Sequence, residues 1–348
     1  MIRLTTISFS IFMTFLCTTI HANSNAKVEN PFLGMWTLDV EGGNVGWLHV
    51  HEDNGYLDAS VMWVGGSVLP AGHVYLADDN TLVVTRVYEK ELPDTKDRKH
   101  YLSYILRFTM VKEEIIGHYQ GPNWDGQGEV SQACIGKRLP PIGPAPDISQ
   151  IKYGKEIKLF NGQDLTGWSI IYSGHENGFK AVDGELRNVP DQVEGEDHIY
   201  YGNLRTDQEF EDFNLRLEVK VPEGDNSGIY LKGMYEVQVY DSYGKELDSH
   251  HMGALYSRIT PTVSAERPAN TWQTVDITLL DRHVTIKLNG QTIINNQPVL
   301  GPTGGAIISD VFAPGPIYLQ GDHGYVAYRN IVIKPIIWIV FTNQIIQE

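Results

Sequence analysis

Apolar and polar residues alternate along most of this chain in short runs, the period of strands that bury one face. Gly46 to His51, Tyr56 to Trp63, Thr81 to Tyr88 and Tyr101 to Met110 carry the pattern early in the chain. Asp53-Asn54-Gly55 separates the first two runs and is a hairpin turn. Further on, Phe213 to Val221, Gly228 to Lys232, Tyr235 to Tyr240, Thr274 to Leu280, His283 to Leu288, Ile317 to Leu319 and Ala327 to Ile333 are strand-like, rich in Val, Ile, Leu and Tyr. Asn289-Gly290 and Glu223-Gly224-Asp225-Asn226 supply turns. No long stripe at helical spacing and no repeat of solenoid length interrupts this. The pattern predicts an all-β protein, a small antiparallel β domain followed by a two-sheet sandwich of jelly-roll type.

Between Leu139 and Asp147 four prolines fall in nine residues, which reads as a stiff, extended linker near residue 145. The N-terminus has Arg3, an uncharged apolar stretch from Ile7 to Leu16 and a small residue at Ala22, the make-up of a secretory signal. The expected division is a signal peptide at 1–22, the small β domain at 23–138, the linker at 139–150, the sandwich at 151–336 and a tail at 337–348. A secreted or periplasmic location follows. Cys17 invites a lipid anchor, but Phe15 and Leu16 are bulky for a lipobox, so the cleaved signal is preferred. Cys134 is then the only cysteine left, which excludes an intramolecular disulfide and reads as a small buried hydrophobe. Beyond the leader no run reaches the roughly 18 apolar residues of an integral membrane span.

Charge narrows the partners. With 43 acidic against 27 basic residues and a formal net charge of -16, the chain lacks the basic surface that binding nucleic acid requires. No Gly-x-Ser-x-Gly elbow and no phosphate-binding Gly-x-x-x-x-Gly-Lys loop occurs. In Tyr235 to Tyr240, Glu236, Gln238 and Tyr240 share one face while Val237 and Val239 share the other. The same parity sets Tyr230 and Lys232 against Ile229 and Leu231, and Tyr318 and Gln320 against Ile317 and Leu319. Polar and aromatic groups thus converge on a groove suited to a carbohydrate ligand. His49 and His51 share a strand face with Trp47, a weak metal pattern without a third ligand. Asp191, Glu194, Glu196, Asp197 and His198 form an acidic loop, read first as solvated and second as a Ca²⁺ site.

Several phrases of the second domain resemble the 3-keto-disaccharide hydrolase family. They are Lys158-Leu159-Phe160-Asn161-Gly162-Gln163-Asp164-Leu165-Thr166-Gly167-Trp168, Phe179 to Leu186, Asn203-Leu204-Arg205-Thr206, Asn226 to Lys232, Tyr235 to Asp241, Gly253-Ala254-Leu255-Tyr256, Gly315 to Gln320 and Tyr328-Arg329-Asn330-Ile331. The matches are colinear over about residues 155 to 335. The resemblance implies a concanavalin-like sandwich related to laminarinase-type glucanases, and an enzyme that cleaves 3-keto-glycosides. Two departures stand out: Lys232 is where the family often has Arg, and Gly321 separates Gln320 from Asp322-His323.

Glucanases of that type place two carboxylates on this strand. Here Gln238 replaces the middle acid, and Asp241 falls on the wrong face unless a bulge intervenes. A 3-keto group acidifies the C2 hydrogen, so a base can remove it and expel the C1 substituent by β-elimination. That reaction needs a base, a holder for the enolate oxygen and an acid for the leaving oxygen. Glu236 is the first candidate base, followed by His250, His251 and His323. Lys232, Arg329 or a divalent cation are candidates to hold the enolate; no metal ligand set is read. Tyr230, Gln238, Tyr256 and Gln320 are the expected sugar contacts, and Trp168 is expected in the core. The alternatives are a non-catalytic carbohydrate-binding module and an endo-glucanase-like hydrolase.

Overall fold

The computed structural model describes residues 30–90 and 99–339. The signal sequence, Cys17 and residues 340–348 of the tail lie outside the described residues. From Phe32 onward the chain forms one compact unit.

The first nine strands are β1 (Gly34–Val40), β2 (Asn44–Asp53), β3 (Tyr56–Trp63), β4 (Gly65–Pro70), β5 (His73–Asp78), β6 (Thr81–Lys90), β7 (His100–Val111), β8 (Glu114–Pro122) and β9 (Glu129–Arg138). They form a single antiparallel sheet in the order β4-β3-β2-β1-β9-β8-β7-β6-β5. Asn54 and Gly55 take positive φ values of 49° and 82°, so Asp-Asn-Gly makes the expected tight turn. Ala71 and Gly72 donate to Ala59 O on β3 and Thr85 O on β6, which draws the two edges of the sheet together into a barrel-like roll. Its interior is the alternate set Trp36, Leu38, Leu48, Val61, Leu82, Leu106 and Phe108, all buried. Cys134 lies in this core, and burial pushes its thiol up to about 12, which leaves it inert.

The linker is not free. Leu139 enters the core of the sandwich, Pro140 O accepts from Arg282 Nη1 at 3.0 Å and Pro146 O accepts from Asn296 Nδ2 at 2.9 Å. The strands that follow are β10 (Ile151–Tyr153), β11 (Ile157–Lys158), β12 (Trp168–Ile170), β13 (Phe179–Val182), β14 (Glu185–Asn188), β15 (Leu204–Phe210), β16 (Phe213–Lys220), β17 (Asn226–Leu231), β18 (Tyr235–Tyr240), β19 (Gln273–Leu280), β20 (His283–Leu288), β21 (Gln291–Pro298), β22 (Gly315–Leu319) and β23 (Val326–Ile339). One sheet runs β13-β14-β23-β16-β19-β20-β21, with β10 and β11 added on β23; the other runs β12-β15-β22-β17-β18. Side chains from both inner faces, among them Leu215, Leu217, Ile229, Val237, Ile277, Ile286 and Leu319, make the core. Because Ile151 pairs with Ile339, β23 continues three residues past the expected boundary at 336.

The opening signature of the sandwich is a corner. Asn161 Oδ1 accepts the Gln163 and Asp164 N–H groups, and Asp164 Oδ1 accepts that of Thr166. Trp168, which follows the corner, is buried and donates to Leu159 O at 2.7 Å, so it is core as expected.

Trp47 on β2 and Met62 on β3 point out of the barrel and belong to the core cluster of the sandwich. Trp47 Nε1 donates to Leu300 O at 3.2 Å, and a Cβ added to Gly301 would stand 2.3 Å from that nitrogen. Arg258 lies over the ring at 4.3 Å. The barrel and the sandwich therefore share apolar burial, and they are expected to unfold in one transition. Trp47→Ala should cost about 3–5 kcal/mol and separate that transition into two, read by denaturation with tryptophan fluorescence and circular dichroism. A single transition of unchanged midpoint would show that the seam carries no coupling.

Candidate active site

Strands β17 and β18 pair without a register shift, setting Tyr230 opposite Glu236 and Gly228 opposite Gln238. Alternation sends Tyr235, Val237 and Val239 into the core and Glu236 and Gln238 to the other face. That face borders a cavity of about 400 Å³. Tyr230, Glu236, Gln238, Tyr256, Gln320 and His323 all line it, so six of the ten expected site residues meet in one place. The volume sits near the lower end of small-molecule sites, which run roughly 300–1,000 Å³.

Glu236 is the buried charge-bearing group of this pocket, 4% exposed. Loss of water pushes its carboxyl up to about 8, against the opposing effect of the Tyr230 hydrogen bond. The Tyr230 hydroxyl lies 2.7 Å from Gly304 O and 2.9 Å from Glu236 Oε2, one proton offered to two acceptors. The Tyr318 ring stacks on Tyr230 at 3.9 Å between centroids, and its hydroxyl donates to Gly305 O at 2.5 Å. Thr303 Oγ1 accepts the Glu236 N–H at 2.9 Å. Gly228 leaves room for the carboxyl, since a Cβ there would stand 2.3 Å from Oε1. At neutral pH the site therefore presents a neutral carboxylic acid, braced from both sides.

The walls are largely hydrogen-bonding, with Asp322 as a second carboxyl among them. Gln238 is held by main-chain pairing, donating its N–H to Ala254 O at 3.0 Å. The Tyr256 N–H donates to Glu236 O at 2.9 Å, which brings that ring to the pocket. Gln320 N–H donates to Gly228 O at 3.0 Å. His323 stands at the rim, exposed; desolvation by the surrounding protein lowers its pKa, with neighbouring Asp322 pulling the other way. Gly321, the extra residue before it, passes close to Gly202: a Cβ there would meet Gly202 O at 2.1 Å. Asp322 Oδ1 accepts the Tyr201 N–H at 2.8 Å, and Oδ2 lies 3.2 Å from His198 Nε2.

The other four expected site residues lie elsewhere, His250 with its Nε2 2.8 Å from Ser67 Oγ on β4. β17 ends at Leu231, and Lys232 turns with a φ of 57°, so alternation stops one residue short; its Nζ donates to Val311 O at 3.0 Å. His251 Nδ1 lies 2.6 Å from Glu246 O, and its ring borders a separate crevice beside Ser242 and Glu266. Arg329 is on β23 of the opposite sheet, pairing with Glu218 and lying 4.0 Å over Trp272, with the core between it and the pocket. Asp241 is also turned away: the β17–β18 register is unbroken through Tyr240, and Asp241 Oδ2 accepts the Gly224 N–H at 3.1 Å. The second glucanase carboxylate is thus missing from β18.

Other residues at the pocket were not anticipated. Asn203 and Asn226 sit inside phrases read only as family signatures, and Tyr172 and His175 come from a loop without a pattern. Gly65 and Gly66 come from the barrel. Of the two metal readings, the acidic loop has His198 on Asp322 and Asp191 accepting from Tyr325. His49 and His51 stack at 4.9 Å. Among the described residues no group of three or more His, Cys, Asp or Glu side chains gathers as a metal site requires. No helix among them is long and apolar enough to cross a membrane.

The profile of the 3-keto-alpha-glucoside-1,2-lyase-like domain matches residues 155–334, more than half of the chain. The chain belongs to that family. Among solved structures, it is similar to a provisionally named glycosyl hydrolase of Parabacteroides distasonis ATCC 8503, with 29% identity and a TM-score of 0.44 over 57% of this chain and 93% of that one. A second such protein of the same organism gives 20% identity and a TM-score of 0.42 over 52% and 94%. A Bacillus licheniformis β-glucanase gives 14% identity and a TM-score of 0.34 over 53% and 99%. No curated protein matches.

A carboxyl raised to about 8 holds its proton in the folded state after the unfolded chain has released it. Folded stability is therefore full below the ordinary carboxylate range and falls as pH rises from about 4.5 to about 8. Glu236→Gln keeps the shape and removes the titration. Its stability relative to the parent should climb across that window by roughly 2–5 kcal/mol, measured by chemical denaturation at about pH 5 and about pH 8. A pH-independent difference would mean that the carboxyl is not held neutral.

Proposed function

We propose that this member of the 3-keto-alpha-glucoside-1,2-lyase-like family is an exported enzyme that cleaves 3-keto-glycosides by elimination. The observation that carries the reading is the single buried, neutral carboxyl of Glu236 in a sugar-sized pocket, with Asp241 directed away from it. Such a site lacks the nucleophilic carboxylate and paired acid of an ordinary retaining glucanase on this strand. It does offer what an acidified C2–H requires. The apolar stretch near the N-terminus supports export.

The base removes the proton from C2, and the C–H electrons form the enolate of the C3 ketone. The enolate collapses to restore C3=O, the C1–C2 double bond forms, and the C1–O bond breaks with its electrons on the departing oxygen. That oxygen takes a proton from an acid, and water then adds across the double bond to give the free 3-keto sugar. Glu236 carries its proton at neutral pH, so its part is the acid rather than the base expected from the sequence. His323, with a lowered pKa, is the neutral imidazole able to accept the C2 proton. Gln238, Gln320, Asn203 and Asn226 supply amides for sugar hydroxyls.

Purified protein should release 4-nitrophenol from 4-nitrophenyl 3-keto-glucoside and none from the unoxidised glucoside. Glu236→Gln and His323→Gln should each lower the rate by at least about 100-fold. The rate should rise with pH as His323 loses its proton, below the ordinary histidine value, and fall through about pH 8 as Glu236 loses its own. No release from the keto compound, with sugar binding intact by calorimetry, would instead make the domain a carbohydrate-binding module. Loss of the rate in chelator would bring in the divalent cation.

A further inference from the structure

One wall of the pocket is made by the other domain. Gly65 and Gly66, at the turn between β3 and β4 of the barrel, line the same cavity as Glu236. The profile match begins at residue 155, so this wall lies outside the family domain. The turn is unusual: Val64, a β-branched residue, takes a positive φ of 61°, as does Gly66 at 71°. Residues held in this way persist where the surroundings over-determine them, and they collect at functional sites.

The surroundings do so here. Val64 O accepts the Gly305 N–H at 3.0 Å. A Cβ on Gly304 would stand 2.3 Å from Gly66 O and 2.6 Å from Gly66 N, so the two backbones touch with nothing between them. On the far side, Ser67 Oγ lies 2.8 Å from His250 Nε2, and Ser257 Oγ accepts the Val68 N–H at 2.9 Å. His250 Nδ1 lies 2.7 Å from Asp248 Oδ1, which gives Ser67, His250 and Asp248 the outline of a hydrolase triad. The N–H following Ser67, the usual donor to an oxyanion, is already given to Ser257. The constellation is a clamp on the turn.

We propose that the Val64–Ser67 turn is a specificity-determining wall of the substrate pocket and that the strip it clamps positions the acid. The strip is Leu300 to Gly305. It is gripped by Trp47 at Leu300 and by Val64 and Gly66 at Gly304–Gly305, and it returns one contact to the acid, Thr303 Oγ1 to the Glu236 N–H, and two to the stacked tyrosines beside it, Gly304 O to Tyr230 and Gly305 O to Tyr318. The barrel limits the pocket to about 400 Å³, which suits a short glycoside of one or two rings rather than the interior of a polymer. The inference rests on the reading of this pocket as the sugar site.

Two glycines separate the wall from the strip. Gly65 has no positive φ, and a Cβ on it would meet no protein atom within 4 Å, so a side chain there costs the fold little and takes up pocket space. Gly65→Leu should raise KM for 4-nitrophenyl 3-keto-glucoside at least 10-fold with kcat and Tm near those of the parent. It should weaken calorimetric binding of 4-nitrophenyl glucoside to the same extent. Gly304→Ala forces the turn off the strip. It should lower kcat and move the alkaline limb of the pH profile, a change that loss of a merely structural contact would not produce; Gly305→Ala tests the neighbouring carbonyl if Gly304→Ala fails to fold. An unchanged KM and binding constant in Gly65→Leu would overturn the wall, and an unmoved alkaline limb in both alanine variants would overturn the positioning role. Inactive parent protein that still binds the glucoside, more weakly after Gly65→Leu, would sink the elimination reading and leave the wall standing. A parent that neither cleaves nor binds would overturn both.

Discussion

A carboxyl group taken out of water governs this molecule. Glu236 could face a solvated groove, as acids on concave sheet faces commonly do, and would then ionise and act as a base. Instead it lies over Gly228 and between Tyr230 and the Thr303–Gly305 strip, 4% exposed. Burial of an ionised carboxylate is costly, so the group keeps its proton until about pH 8. The kind of chemistry open to the site follows from that one displacement. A neutral acid can give a proton to a departing oxygen; it cannot serve as the nucleophile of a glucanase.

The same displacement ties the two domains together. The two tyrosines that pack beside the acid, Tyr230 and Tyr318, donate to the carbonyls of Gly304 and Gly305. Neither residue sits in a strand. The barrel helps to hold them, through Val64 and Gly66 on one side and the Trp47 seam on the other, together with Met234 O, which accepts the Thr303 N–H at 2.9 Å, and Arg258 Nε, which donates to Pro302 O at 2.9 Å. The apolar burial of Trp47 and Met62 in the core of the sandwich offsets the cost of holding Val64 at positive φ, about 1–3 kcal/mol for such a residue.

Much of this was legible in the sequence because alternation is a strong signal. It fixed Glu236 and Gln238 on one face and Val237 and Val239 on the other, and it found Tyr230 and Gln320. It failed at Lys232 because a turn breaks the period there, for which Gly233 was the available sign. It failed at Arg329 for a different reason: parity assigns a residue to a face but not to a sheet, and β23 lies across the core. Choosing among His250, His251 and His323 needed the path of two loops, which no local pattern encodes. The proline-rich stretch looked like a free spacer by composition, yet Leu139 is drawn into the core and two proline carbonyls are bonded. Most remote from the sequence was the wall at Gly65 and Gly66, some 170 positions before Glu236 and in another domain.

That remoteness bears on the role of Glu236 itself. Read from β18 alone, the residue is an acid beside one amide, Gln238, and a base is the natural assignment. The protonated state follows from burial, and part of the strip that buries the group is held by contacts from the barrel. A sandwich of this family without such a turn would leave the strip and the pocket more open to water. Water would restore solvation to the carboxyl and lower its pKa, moving it from proton donor toward proton acceptor. By bordering one side of the cavity with Gly65 and Gly66, the barrel contributes to the exclusion of water on which the protonation of the carboxyl depends.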